Sequence, residues 1–186
     1  MATFGEDDAT MTSTENTSTQ STTGERADIV ALLNVRRQFL LFTIRDLTDE
    51  QAVQRTTVSE LTLAGLIKHV SAVEAHWADF MVDGPRPAEP MPEMFARHAA
   101  QFRVEDGETL AGLVAEYERV AARTDELVAT LPDLDASHPL PEAPWFEPGA
   151  RWTVRRTALH IIAETAHHSG HADILREAID GQKTMG

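Results

Sequence analysis

The chain has 186 residues, 42% of them apolar, enough to close one sizeable core, and its 6% aromatic content favours helices over a sandwich or barrel. Thirty acidic residues against 16 basic ones give a net charge of −14, which leaves no basic stripe for nucleic acid or for an anionic membrane surface. The absence of cysteine removes disulfides, thiolate nucleophiles and cysteine-based zinc sites together.

Residues 1–24 are rich in Ser and Thr, carry four acidic side chains and no basic one, and bury almost nothing; a disordered tail is expected there. The N-terminus lacks a basic stretch followed by an apolar one, so no signal peptide is expected. No run approaches the ~18 apolar residues of a membrane helix, and a cytoplasmic protein is the default expectation.

A first helix is expected over 25–46, with Ile29, Leu32, Leu33, Phe39, Leu40 and Ile44 on its apolar face. Thr48 then caps a short helical piece. A second long helix over 59–82 carries Leu63, Leu66, Val70, Val73, Trp77 and Phe80 at helical spacing. Residues 83–107 read as a long loop broken by Pro85, Pro87, Pro90 and Pro92, and a loop of that length is unusual unless it covers something. A third helix over 108–131 ends before Pro132. A second proline-rich loop holds Trp145 and Phe146. The last helix starts after Thr153 as N-cap, runs to about 179, and stops at Gly181. The fold class is therefore all-α: a four-helix bundle over 25–181 with long loops, the N-terminal tail before it and a short tail, 182–186, after it.

Six of the eight histidines fall on two of these helices: His69 and His76 on the second, His160, His167, His168 and His171 on the last. Steps of about 100° per residue place His160, Glu164, His171 and His168 within an arc of about 80°, with Leu175 inside it, on the side expected to face the core. His167 falls at the edge of that arc. A carboxylate and several imidazoles on a buried face must find partners or stay uncharged. A divalent ion meets that need, because neutral imidazole and ionised carboxylate are its natural ligands. Glu164 and His168, at i and i+4, project together, and a third ligand must come from another helix, with His69, inside the apolar stripe, the best candidate. Taken singly, a buried histidine is more often a hydrogen-bonded core residue, and that reading stands for His76 and His160 alone. His98 and His138 read as solvated loop residues, and Trp77 as core.

Four stretches carry a resemblance: Leu47 to Ala52; Leu61 to Val70, continuing through Val73 to Trp77; Arg151 to His160; and Glu164 through His168, Ser169, Gly170 and His171 to Gly181. They resemble the DinB/YfiT-like superfamily of metal-binding four-helix bundles, and within it the mycothiol-dependent S-transferases. The resemblance implies a metal held by His69, Glu164 and His168, zinc as its usual identity with nickel or another divalent ion as alternatives, and mycothiol as thiol co-substrate. The mycothiol-linked isomerase of this superfamily carries a further C-terminal domain that completes its site; here the sequence ends at Gly186, which favours a stand-alone transferase.

The implied activity is transfer of a low-molecular-weight thiol to an electrophile, a detoxification chemistry. His160 or His171 would move the proton or orient a ligand, and His76 would line the same cavity. Arg151, Trp152 and Arg155 would border its mouth and contact the thiol cofactor; ordinary surface charge and a loop anchor are the plainer reading of those three. Two competing readings are a hydrolase that uses metal-bound water with Glu74 or His76 as base, and a non-catalytic, stress-linked metal-binding bundle. A thiol and an electrophile are the expected partners, together with a homodimer through helix faces.

Overall fold

The computed structural model describes residues 24–184; the expected N-terminal tail lies outside them, apart from Gly24. Four long helices form the frame: α1 (Glu25–Phe42), α3 (Leu63–Asp83), α5 (Leu110–Thr130) and α6 (Val154–Asp180), with a single-turn helix α2 (Asp49–Ala52) after α1. Each long helix packs on two others, α1 and α3 both lying between α5 and α6, so that α1 and α3 occupy opposite corners. Side-chain bonds give the directions. Arg26 at the start of α1 donates to the Leu131 carbonyl beyond the end of α5, so those helices run antiparallel. Arg155 at the start of α6 pairs with Glu25, so α6 runs parallel to α1 and against α3.

Threonine starts most of these helices. Thr48, Thr62, Thr109 and Thr153 each accept a hydrogen bond from the backbone N–H three residues on, and Thr48 completes a capping box with Gln51. The second long helix begins at Leu63 rather than 59 because Thr57 and Ser59 bond the backbone N–H groups of Ser59 and Leu61, which competes with helix formation. Gly181 closes α6 in the left-handed conformation expected of it.

Both long loops contain structure that the prolines hid. Helix α4 (Met91–Ala100) begins after Pro90 and carries Pro92 in its first turn, where a missing N–H costs nothing. It buries no residue. In the second loop, β1 (Ser137–Pro139) pairs antiparallel with β2 (Arg151–Thr153), His138 opposite Trp152. Strands of three residues are too short to show an alternating pattern in sequence.

The core has two apolar halves. Leu40, Leu63, Leu66, Ile67, Val70, Tyr117 and Leu175 fill one, and Leu33, Trp77, Phe80, Val128, Ala158 and Ile161 fill the other. Between them Arg37 of α1 reaches Glu74 of α3 at 2.5 Å, both almost wholly buried. Arg37 also bonds Asp125 at 2.7 Å and Asn34 at 3.1 Å. At one end of the bundle the buried Arg176 donates to the carbonyls of Thr43 and Arg45, satisfying the chain where α1 unwinds.

Gly65 sits where the segment after α4 crosses α3: a Cβ there would stand 2.4 Å from the Phe102 carbonyl oxygen. Lys68 holds the same segment, donating to the Arg103 carbonyl at 2.8 Å and pairing with Glu108 at 2.7 Å.

Two predictions follow from this frame. Glu74→Ala, which leaves a buried guanidinium without its main partner, is expected to cost about 3–5 kcal/mol in urea unfolding, while Arg37→Met with Glu74→Leu stays near wild type; equal losses in both variants would refute the account. Gly65→Ala in an ordinary helix gains up to about 1 kcal/mol. Here it is expected to lower the melting temperature and raise amide exchange over 101–108, and a stabilised variant with unchanged exchange would contradict the close approach.

Candidate metal and thiol site

His69 projects from α3 towards α6 and is 2% exposed. Its ring lies 4.8 Å, centroid to centroid, from that of His168 on α6. Phe102, from the segment that follows α4, stacks on the other side of His69 at 3.8 Å, and the ring of His98 of α4 stands edge-on at 5.3 Å. The loop histidine read as merely solvated is thus a neighbour of the buried one. The i, i+4 spacing of His98 and Phe102 is a helical signal, but the prolines upstream masked it. The other such histidine, His138, packs its ring edge-on to Phe80.

Glu164 lies between two imidazoles of its own helix. One carboxylate oxygen is 3.7 Å from His168 Nε2 and the other 3.7 Å from His160 Nε2. The arc from His160 to His168 does not face the middle of the core; Ala158, Ile161, Thr165, Ala172 and Arg176 do. The arc flanks that face, and the Glu164 side chain keeps 31% of its exposure. The flank is occupied because Ala and Thr at 158, 165 and 172 let the helix axes approach, while the polar side chains fill the seam beside α3.

Burial pushes the His69 imidazole down to about 3, helped by the neighbouring His168. Burial lowers His160 and His168 as well, against the pull of Glu164, which favours their charged forms. Among the described residues, the Nδ1 atoms of His69, His168, His76 and His171 are buried without a hydrogen-bond partner, and each such nitrogen calls for an explanation. With metal–nitrogen bonds of about 2.1 Å, two imidazoles on one ion hold their ring centroids about 4.5–5.3 Å apart between right-angled and tetrahedral geometry. The spacing of His69 and His168 falls in that range, and neutral imidazoles beside a carboxylate are a donor set that suits a divalent ion. Among the described residues no three His, Asp or Glu side chains already converge as a ligand set.

The remaining candidates sit further out. His76 lies two turns along α3, its ring 5.3 Å from Trp77, and burial together with the charge of Arg86 lowers it to about 4. His171 lies 5.6 Å from His168 and 4.7 Å from His167. Trp152 stacks on Trp77 at 4.9 Å, and His160 stands edge-on to both. Arg155 is engaged by Glu25 and Asp135, and Arg151 by Ser137. Glu74, offered as a hydrolytic base by the sequence, is committed to Arg37 on the far side of α3. A groove of about 580 Å³ between α1 and α5 is lined by Leu41, Ile44, Leu47, Leu110 and Val114 and by none of these histidines.

Comparison with known proteins adds the family. Among solved structures, a conserved protein from Enterococcus faecalis matches with a TM-score of 0.60, over 86% of this chain and 99% of that one, at 13% identity; at that identity the likeness concerns the fold alone. No curated protein matches. No helix among the described residues is long and apolar enough to cross a membrane. The family profile described as Mycothiol-S-transferase matches residues 28–181, which include all four long helices but the first three residues of α1, and the chain belongs to that family.

Proposed function

We propose that this protein is a metal-dependent S-transferase that joins a low-molecular-weight thiol, mycothiol in the first instance, to an electrophile. The observation that carries the reading is the pairing of His69 with His168 across the α3–α6 seam, with Glu164 beside them and both Nδ1 atoms lacking a partner. His69, Glu164 and His168 are the residues we assign to the ion, with zinc or nickel the fitting identities for nitrogen and carboxylate donors. A bound divalent ion would supply the acidity that turns a coordinating thiol into thiolate near neutral pH.

The chain's own residues do the rest. Burial keeps His69 and His168 neutral at pH 7, so their nitrogens are available as donors. Phe102 covers His69 and excludes water from its face. His160 is also held neutral, with Glu164 at 3.7 Å ready to stabilise the charged form once it takes a proton; that makes it the group suited to accept the thiol proton. Trp77 and Trp152 fix its ring orientation. Arg151 and Arg155 are tied to structural partners, so we assign the border of the thiol site to Trp152.

Purified protein should conjugate mycothiol to monochlorobimane, and a chelator should abolish the reaction. His168→Ala is expected to lose bound metal, by elemental analysis, and about 100-fold or more of the rate, beyond the range seen when only an orienting neighbour is removed. Conjugation that continues unchanged in that variant would end the proposal.

A second expectation concerns acid. His69 and His76 titrate near 3 and 4 in the folded chain, against about 6.5 when unfolded. Between those values the unfolded chain binds more protons, so stability is complete above about pH 6.5 and is lost as pH falls through that window. The melting temperature of metal-free protein should therefore drop from pH 7 to pH 5, with a shallower slope in His76→Gln; identical slopes would exclude His76 as a contributor.

A further inference from the structure

We propose that His167 and His171 form a second divalent-cation site on the outward flank of α6, separate from the ion assigned to His69, Glu164 and His168. The two residues stand at i and i+4, so their side chains project from one strip of the helix. Their rings lie 4.7 Å apart, inside the range of about 4.5–5.3 Å open to two imidazoles on one ion with metal–nitrogen bonds of about 2.1 Å. His168 is 5.5 Å from His167 and 5.6 Å from His171, outside that range, and it turns inward to His69 instead.

The surroundings leave this pair open to an ion. His167 is exposed, and so are Ala163, Ala166 and Gly170 around it; a Cβ added at Gly170 would meet nothing within 4 Å. His171 is half-buried; its Nδ1 is buried without a hydrogen-bond partner among the described residues, which leaves Nε2 as the nitrogen for an ion on the outer side. Among the described residues neither imidazole is paired with a carboxylate, unlike His160 and His168. Two nitrogen donors without an oxygen select borderline cations such as zinc, nickel and copper over magnesium or calcium. The net charge of −14 raises the local concentration of any cation. With only two protein ligands the outer site binds more weakly than the inner one, and repulsion between the two ions makes it the second to fill.

Calorimetric titration of the full, chelator-stripped chain with Ni²⁺ tests this, with circular dichroism to confirm that each variant is folded. Wild type should show two binding events, and Mg²⁺ should produce neither. His167→Gln and His171→Gln should each remove the weaker event and keep the tighter one. His168→Ala should remove the tighter event and keep the weaker. A weaker event that survives in His167→Gln overturns the outer site, as does a wild type with one event that His168→Ala abolishes. If His168→Ala leaves both events in place, the inner assignment fails, while the outer site stands on its loss in His167→Gln.

Discussion

A guanidinium from α1 and a carboxylate from α3 meet in the middle of the bundle, almost free of water, and the register of α3 follows from that meeting. These helices occupy opposite corners and share few other contacts, so the pair ties the bundle across its diagonal. Sliding α3 by one turn would leave both charges buried and alone, which costs far more than the shift of any apolar contact. With Glu74 pinned on one side of α3, helical steps of about 100° put His69 and His76 on the opposite side, about 140° and 160° round from it, and His69 there meets His168 of α6.

The seam between α3 and α6 then inherits an electrostatic problem. Several imidazoles crowd around one carboxylate, and the most buried of them, His69, cannot be charged near neutral pH. Leucine in such a seam would carry no such cost. Here the apolar requirement is met elsewhere, by the two core halves at the ends of the bundle, and small residues on α6 at 158, 165 and 172 let the helices close around the polar side chains. The neutral state forced by burial is the state in which imidazole donates a lone pair, so burial and the ion we propose act in the same direction.

Much of this was legible in the sequence, and what was not had identifiable causes. Amphipathic period announced the four long helices, and the caps at Thr48 and Thr153 and the Gly181 stop were legible because these are local signals, while the caps at Thr62 and Thr109 were missed. The i, i+4 relation of Glu164 and His168 was visible for the same reason. The contribution of His69 needed a contact between residues almost 100 positions apart, which periodicity alone could suggest only through its place in the apolar stripe. Helix α4 was missed because prolines in a first turn look like breaks, and with it went the approach of His98 and Phe102 to His69. The angular arc on α6 was read correctly but turned inward by too much; the true core face is marked by Ala158, Thr165 and Ala172, small residues that carry little weight in a hydrophobic pattern. Arg37 and Arg176 sit on apolar faces, where charge argues for solvent; only the tertiary partners explain their burial.

The covering of His69 divides into a fixed part and a loosely held one. The segment 101–108 is fixed: Gly65 admits the Phe102 carbonyl against the helix, and Lys68 ties down Arg103 and Glu108. Helix α4, which carries His98, buries nothing, and its Phe95 is 56% exposed. Local opening is cheapest where few apolar contacts are broken. Of the elements that cover His69, α4 is therefore the one whose displacement breaks the fewest apolar contacts, whereas opening the α1–α5 side would displace Arg37 and Asp125 and break the diagonal tie. The arrangement keeps the charge that ties the bundle and the buried histidines apart, since Glu74 and His69 lie on opposite faces of the same helix.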